Sequence, residues 1–76
     1  MTKIEIEKKL REEGVRVDSY SLNGGLPNEA YCLNRTESGR EVYYSERGNK
    51  MGLKVFDNES DACDYLFKLL VKKDGF

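Results

Sequence analysis

Histidine is absent from these 76 residues, which removes the usual general base near neutral pH and the commonest metal ligand. Ser-His-Asp triads and most zinc sites cannot be built from what remains. Cysteine is scarce: Cys32 and Cys63 stand too far apart in sequence for a zinc-ligand pair. They read as two free buried thiols in a reducing compartment, because cysteine is among the most buried residue types and cytosolic disulfides are rare. A pairing would require the strand carrying one to meet the helix carrying the other. No apolar run approaches the ~20 residues of a membrane span, and "MTKIEIEKKL" lacks the apolar core of a signal peptide. A cytoplasmic product without membrane contact is the expectation. The glycines of "LNGGLP" are followed by no lysine and open no helix, so they do not form a phosphate-binding loop.

The size is equally restrictive. Residues 1–76 make a single domain, near the lower end of what folds unaided. A chain this short cannot enclose a large cavity, so one well-made binding face is easier to build than an active site. Neither a cofactor, a metal nor an enzymatic activity is expected.

Charged residues make up 36% of the chain and the net charge is −1. That sign does not suit a domain whose affinity comes from releasing phosphate counterions. The distribution is uneven: the central segment 35–55 is mildly basic and the segment from Phe56 onward mildly acidic.

Periodicity gives the elements. Thr2 followed by Glu5 forms a capping box before a helix that Gly14 closes. Its apolar stripe is thin, Ile6 and Leu10 with Ile4 beside them, and Glu5–Lys9 and Glu7–Arg11 are i,i+4 pairs. "VRVDSYSL" alternates as a half-buried strand. "NGGLPN" breaks it as a loop, and "EAYCLNRT" is apolar on both faces, as befits an internal strand. After a turn at "ESGR", "EVYYSER" places Val42 and Tyr44 on one face, with Glu41, Tyr43, Ser45 and Arg47 on the other. A further turn at "GNK" leads to a fourth strand on which Met51, Leu53 and Val55 share a face.

"DNESDACDYLFKLLVKK" is the strongest helix, capped by Asn58 or Asp57. Glu59, Asp61 and Asp64 favour its start, and Lys72 and Lys73 its end. Ala62, Cys63, Leu66, Phe67 and Leu70 form a broad apolar face that must cover the sheet. The predicted fold is α+β: a three- or four-stranded antiparallel meander sheet with an N-terminal and a C-terminal helix on one face. The other face is expected to be open, carrying Arg16, Asp18, Tyr20, Tyr43, Arg47 and Lys54.

Three readings of the basic and aromatic side chains remain open. Tyr43, Tyr44, Arg40, Arg47, Lys50 and Lys54 can stack bases and track a phosphate backbone, although Glu41 and Glu46 dilute the field. The same tyrosines and arginines are good anchors for a protein partner. They can also be ordinary strand formers on a solvated face. The carboxylates Glu5, Glu7, Glu12 and Glu13 sit among basic partners and read as a solvated helix face.

The spacing of "SLNGGLPNEAYCL", "EVYYSERGNK" and "VFDNESDACDYLFKLL" resembles a family of small bacterial immunity proteins, encoded beside toxins of contact-dependent growth inhibition and related polymorphic systems. The resemblance rests on Leu22, Asn23, Gly24 and Gly25 before the strand of Cys32 and Leu33. It continues through Val42–Gly48, and ends on Phe56, Glu59, Ala62 and Cys63. It implies a non-enzymatic inhibitor that binds a cognate toxin domain, often a tRNA-cleaving nuclease, inside the producing cell. Against a basic nuclease cleft, Asp57, Glu59, Asp61 and Asp64 would occupy phosphate positions, with Glu41 and Glu46 as second candidates; Tyr43 and Arg47 complete the expected toxin-binding set. The free chain is expected to be a monomer or weak dimer without direct nucleic-acid contact. The alternatives are a small nucleic-acid-binding regulator and a phage-type adaptor that pairs through a sheet edge.

Overall fold

The computed structural model describes residues 1–74, with side chains through Val71. Its first helix, α1 (Lys3–Glu12), starts where the sequence says it should. The Glu5 N–H donates to the Thr2 hydroxyl and the Thr2 N–H to the Glu5 carboxylate, which satisfies two otherwise orphaned donors. The helix ends in a Schellman arrangement: Gly14 N–H donates to the Arg11 carbonyl and Val15 N–H to the Leu10 carbonyl. That closure turns Val15 back into the core beside Ile6 and Leu10, while Ile4 stays exposed.

The expected first strand is mostly not a strand. Arg16 and Asp18 pair at 2.9 Å on the surface, and Ser19 N–H donates to the Arg16 carbonyl, closing a single 3-10 turn over Val17–Ser19. Short polar side chains that bond locally compete with a ladder. Only Tyr20–Ser21 remain as strand β1.

β1 pairs in parallel with β2 (Ala30–Thr36), β2 pairs antiparallel with β3 (Gly39–Glu46), and β3 pairs antiparallel with β4 (Asn49–Phe56), in the order β1-β2-β3-β4. The α+β architecture holds, but the sheet is mixed rather than antiparallel throughout. Left-handed backbone at Gly24, Gly25 and Glu29 lets the chain double back before β2. A parallel connection ordinarily needs a dozen or more residues; here the pairing is only two residues long, which a short loop can serve.

Two two-residue turns join the meander. Glu37–Ser38 lead into Gly39, where an added Cβ would stand 2.1 Å from the Phe56 carbonyl oxygen. Arg47 and Gly48 both take positive φ, the type I′ geometry that matches strand twist.

Helix α2 (Glu59–Asp74) is capped by Asn58, whose side-chain oxygen accepts the Asp61 N–H at 2.8 Å. The expected roles of Lys72 and Lys73 lie outside the described side chains. Ala62, Cys63, Leu66 and Leu70 are buried against Leu33 and Val42 of the sheet, with Ile6 and Leu10 of α1 completing the core. Both helices thus serve one face of the sheet, the front.

Candidate functional site

The back of the sheet is covered over β2 and β3, contrary to expectation. Ala30, Cys32, Tyr43 and Ser45 are buried there, because the Leu22–Glu29 loop folds across it. Tyr43 hydroxyl donates to the Gly25 carbonyl at 2.6 Å, and the Arg47 N–H reaches the Asn28 side chain. Gly24 lies against Asn34 with no room for a Cβ.

Glu41 also belongs to this interior. Its Oε1 accepts from Lys50 Nζ at 2.8 Å and from the Asn34 amide at 2.8 Å. Lys50 first, then Asn34, hold the Glu41 carboxyl below the usual carboxylate range. The Lys50 ammonium lies over the Tyr43 ring, 4.7 Å from its centre. Burial pushes the Tyr43 hydroxyl up to about 12 and the Cys63 thiol up to about 11, and raises Cys32 as well. Both cysteines are free and buried, as the sequence suggests.

Two of the expected toxin contacts, Glu41 and Tyr43, are therefore structural. Strand period put them correctly on the face opposite Val42, but that face is covered by a loop rather than by solvent. Tyr44 points to the front as expected and meets Tyr31 with ring centres 4.9 Å apart and the rings tilted by 57°. No base-stacking platform forms from Tyr43. Of the other residues expected on an open face, Tyr20 packs against the core, and Lys54 lies on the front over the Tyr65 ring at 5.2 Å.

Arg47 is exposed in the β3–β4 turn, with half-buried Glu46 beside it. The acidic start of α2 is on the surface but partly engaged. Asp64 pairs with the N-terminal ammonium at 3.0 Å. Glu59 accepts the Lys3 N–H and stands 3.9 Å from Arg40 Nε. Asp61 accepts from the Asn58 amide, and Asp57 lines an open polar hollow beside Arg35 and Arg40. Among the described residues no group of three or more Cys, Asp and Glu is arranged to hold a metal ion, and no helix is long and apolar enough to cross a membrane.

The surface that sequence reasoning missed is the free edge of β4. The expected shared face of Met51, Leu53 and Val55 does not exist. Two residues, Gly52 and Leu53, oppose Tyr43 alone, so the register shifts between Val42 and Tyr44. Gly52, at φ 60, is the left-handed residue of this bulge. Met51 consequently pairs with Tyr44 on the front, whereas Val55 pairs with Glu41 on the back, and Leu53 follows Val55 by alternation. All three are solvent-exposed, at 51%, 43% and 59% for Met51, Leu53 and Val55. The signal was present: a glycine inside an alternating strand often marks a bulge.

On the front side of this edge, Met51 and Gly52 meet Tyr31, Tyr44, Tyr65 and Leu69 around a mostly apolar cleft of about 270 Å³. The cleft lies between β4 and α2 and opens beside the outer edge of β4. No family model, curated protein or solved structure matches the chain.

Proposed function

We propose that the chain is a stoichiometric protein inhibitor of the immunity type, binding a cognate toxin domain, most simply a nuclease, in the cytoplasm of the producing cell. The observation that carries this reading is the outer edge of β4, which has no neighbouring strand among the described residues and carries three exposed apolar side chains. Monomeric proteins blunt such edges with charge, proline or brevity. Here Lys50, Lys54 and the bulge at Gly52 blunt the eight-residue edge only in part, and Met51, Leu53 and Val55 remain uncovered beside it, which favours contact with another polypeptide.

The interior offers no activated nucleophile at Tyr43 or Cys63. Tyr43 and Cys63 are pushed upward by burial and keep their protons at neutral pH, the reverse of what an activated nucleophile needs. The acids at the start of α2 lie outside the β4 edge strand, where they speed encounter with a basic nuclease surface more than they add affinity. A nucleic-acid-binding role loses its main support with Tyr43 inside the fold.

The experiment is co-expression with the protein domain encoded immediately upstream. Co-elution as a defined complex, with the toxin silenced at equimolar inhibitor, is the expected result. Separate elution with the toxin active at excess inhibitor would refute the reading.

A further inference from the structure

We infer that the corner where the starts of α1 and α2 meet the β2–β3 hairpin is an oxyanion site, and that its ligand is a small phosphate dianion, free or as a monoester. The inference is independent of the inhibitor reading. Arg35 and Arg40 stand directly opposite each other in the β2–β3 ladder, and alternation from the core residues Leu33 and Val42 puts both on the front. Like charges so placed repel each other. Only one of the two is offset. Arg40 Nε stands 3.9 Å from the Glu59 carboxylate, and its Nη1 donates to the Gly39 carbonyl at 3.0 Å. Arg35 is exposed and makes no ion pair among the described residues.

The two arginines border a cavity of about 150 Å³ completed by Lys3, Leu22, Leu33 and Glu59. Its charged lining is three cations, Lys3, Arg35 and Arg40, against the single carboxylate of Glu59, a surplus of two positive charges. Glu59 also accepts the Lys3 N–H at 3.1 Å, while the Lys3 ammonium donates to the neutral Asn23 amide oxygen and so keeps its charge uncompensated. On their outer side the same arginines border the open hollow that holds Glu37 and Asp57, but neither acid comes within ion-pair distance of them. A phosphate dianion matches both the charge and the donors. Two neighbouring guanidinium forks offer paired N–H groups to its oxygens, and the leucine walls exclude water that would weaken those bonds. A carboxylate or a phosphodiester carries one charge and leaves the surplus half compensated.

The test is titration of inorganic phosphate and of methyl phosphate into the isotopically labelled full chain, at constant ionic strength and about pH 7.5, where both are chiefly dianions. Dimethyl phosphate, with one charge, is the comparison. Saturable shifts centred on the amides of Lys3, Leu33, Arg35, Arg40 and Glu59 are expected, with dimethyl phosphate at least about tenfold weaker. Arg35→Gln should weaken phosphate by about tenfold or more at an unchanged urea midpoint. Arg35→Lys, which keeps the charge and loses the fork, should recover only part of that loss. Glu59→Gln keeps an acceptor for the Lys3 N–H, removes the internal competitor and should tighten binding. Inorganic phosphate binding far tighter than methyl phosphate identifies the free ion as the ligand, and equal binding of the two extends the site to monoesters. Shifts that never saturate or that spread over lysines remote from the corner overturn the inference. So does equal binding of the diester, or indifference to Arg35→Gln.

Discussion

The hydroxyl of Tyr43 donates to the carbonyl of Gly25 at 2.6 Å, and with the Gly24 N–H to Leu33 carbonyl bond and the Arg47 N–H to Asn28 bond it ties the Leu22–Glu29 loop down over the back of the sheet. Replacing Tyr43 by phenylalanine keeps the ring and removes the bond. Stability should fall by about 1 kcal/mol, read as a lower urea midpoint with unchanged slope, and amide exchange should quicken in the loop before it does in β2 and β3.

Glu41 makes the fold sensitive to acid. Its carboxyl is held below the ordinary range by Lys50 and Asn34, so the stabilisation is present above the unfolded-state value. It is lost as pH falls through the depressed folded value. Glu41→Gln should cost about 1–3 kcal/mol at neutral pH. The difference between the two proteins should shrink as pH drops below the ordinary carboxylate value of 4.5, measured by urea unfolding at a series of pH values.

The alkaline limit has the opposite sign. Cys63 and Tyr43 are raised from 9.0 and 10.0 to about 11 and about 12. The folded state therefore holds their protons more tightly than the unfolded chain does. Their contribution is complete below the unfolded values and declines as pH rises toward the folded ones. Stability should fall above about pH 9, less steeply in Tyr43→Phe. At pH 8, a thiol reagent should label neither Cys32 nor Cys63 in the native protein and both in urea.

Gly39 sets the end of β4. A Cβ there would stand 2.1 Å from the Phe56 carbonyl oxygen, a backbone atom that cannot swing aside. Gly39→Ala should destabilise by more than about 1 kcal/mol, checked by denaturant titration, with the β4 amides losing exchange protection.

What the sequence made legible was local. The Thr2–Glu5 capping box, the Gly14 closure and the Asn58 cap depend on neighbours within one or two turns, and all three form as read. The inward direction of Val42 follows from strand period, and Val42 is buried in the core. The errors arise where distant segments decide. "VRVDSYSL" alternates like a strand, but its partner is the loop-connected β2, and the Arg16–Asp18 pair favours a turn. Strand period assigns Tyr43 to the correct face, yet no pattern in β3 foretells that Gly25 covers it. One residue obscures the β4 edge: Gly52 shifts the alternation, so Met51, Leu53 and Val55, which simple alternation puts on one face, are divided between two.

The central claim is that β4 is the surface on which a partner is held. Amide hydrogen exchange of the chain, alone and mixed with the domain encoded upstream, tests it most directly. The account predicts a complex in which Lys50–Val55 become strongly protected, with smaller changes at Tyr65 and Leu69. Absence of a complex, or protection confined to the start of α2 or to the Leu22–Glu29 loop with β4 exchanging as in the free chain, would contradict it.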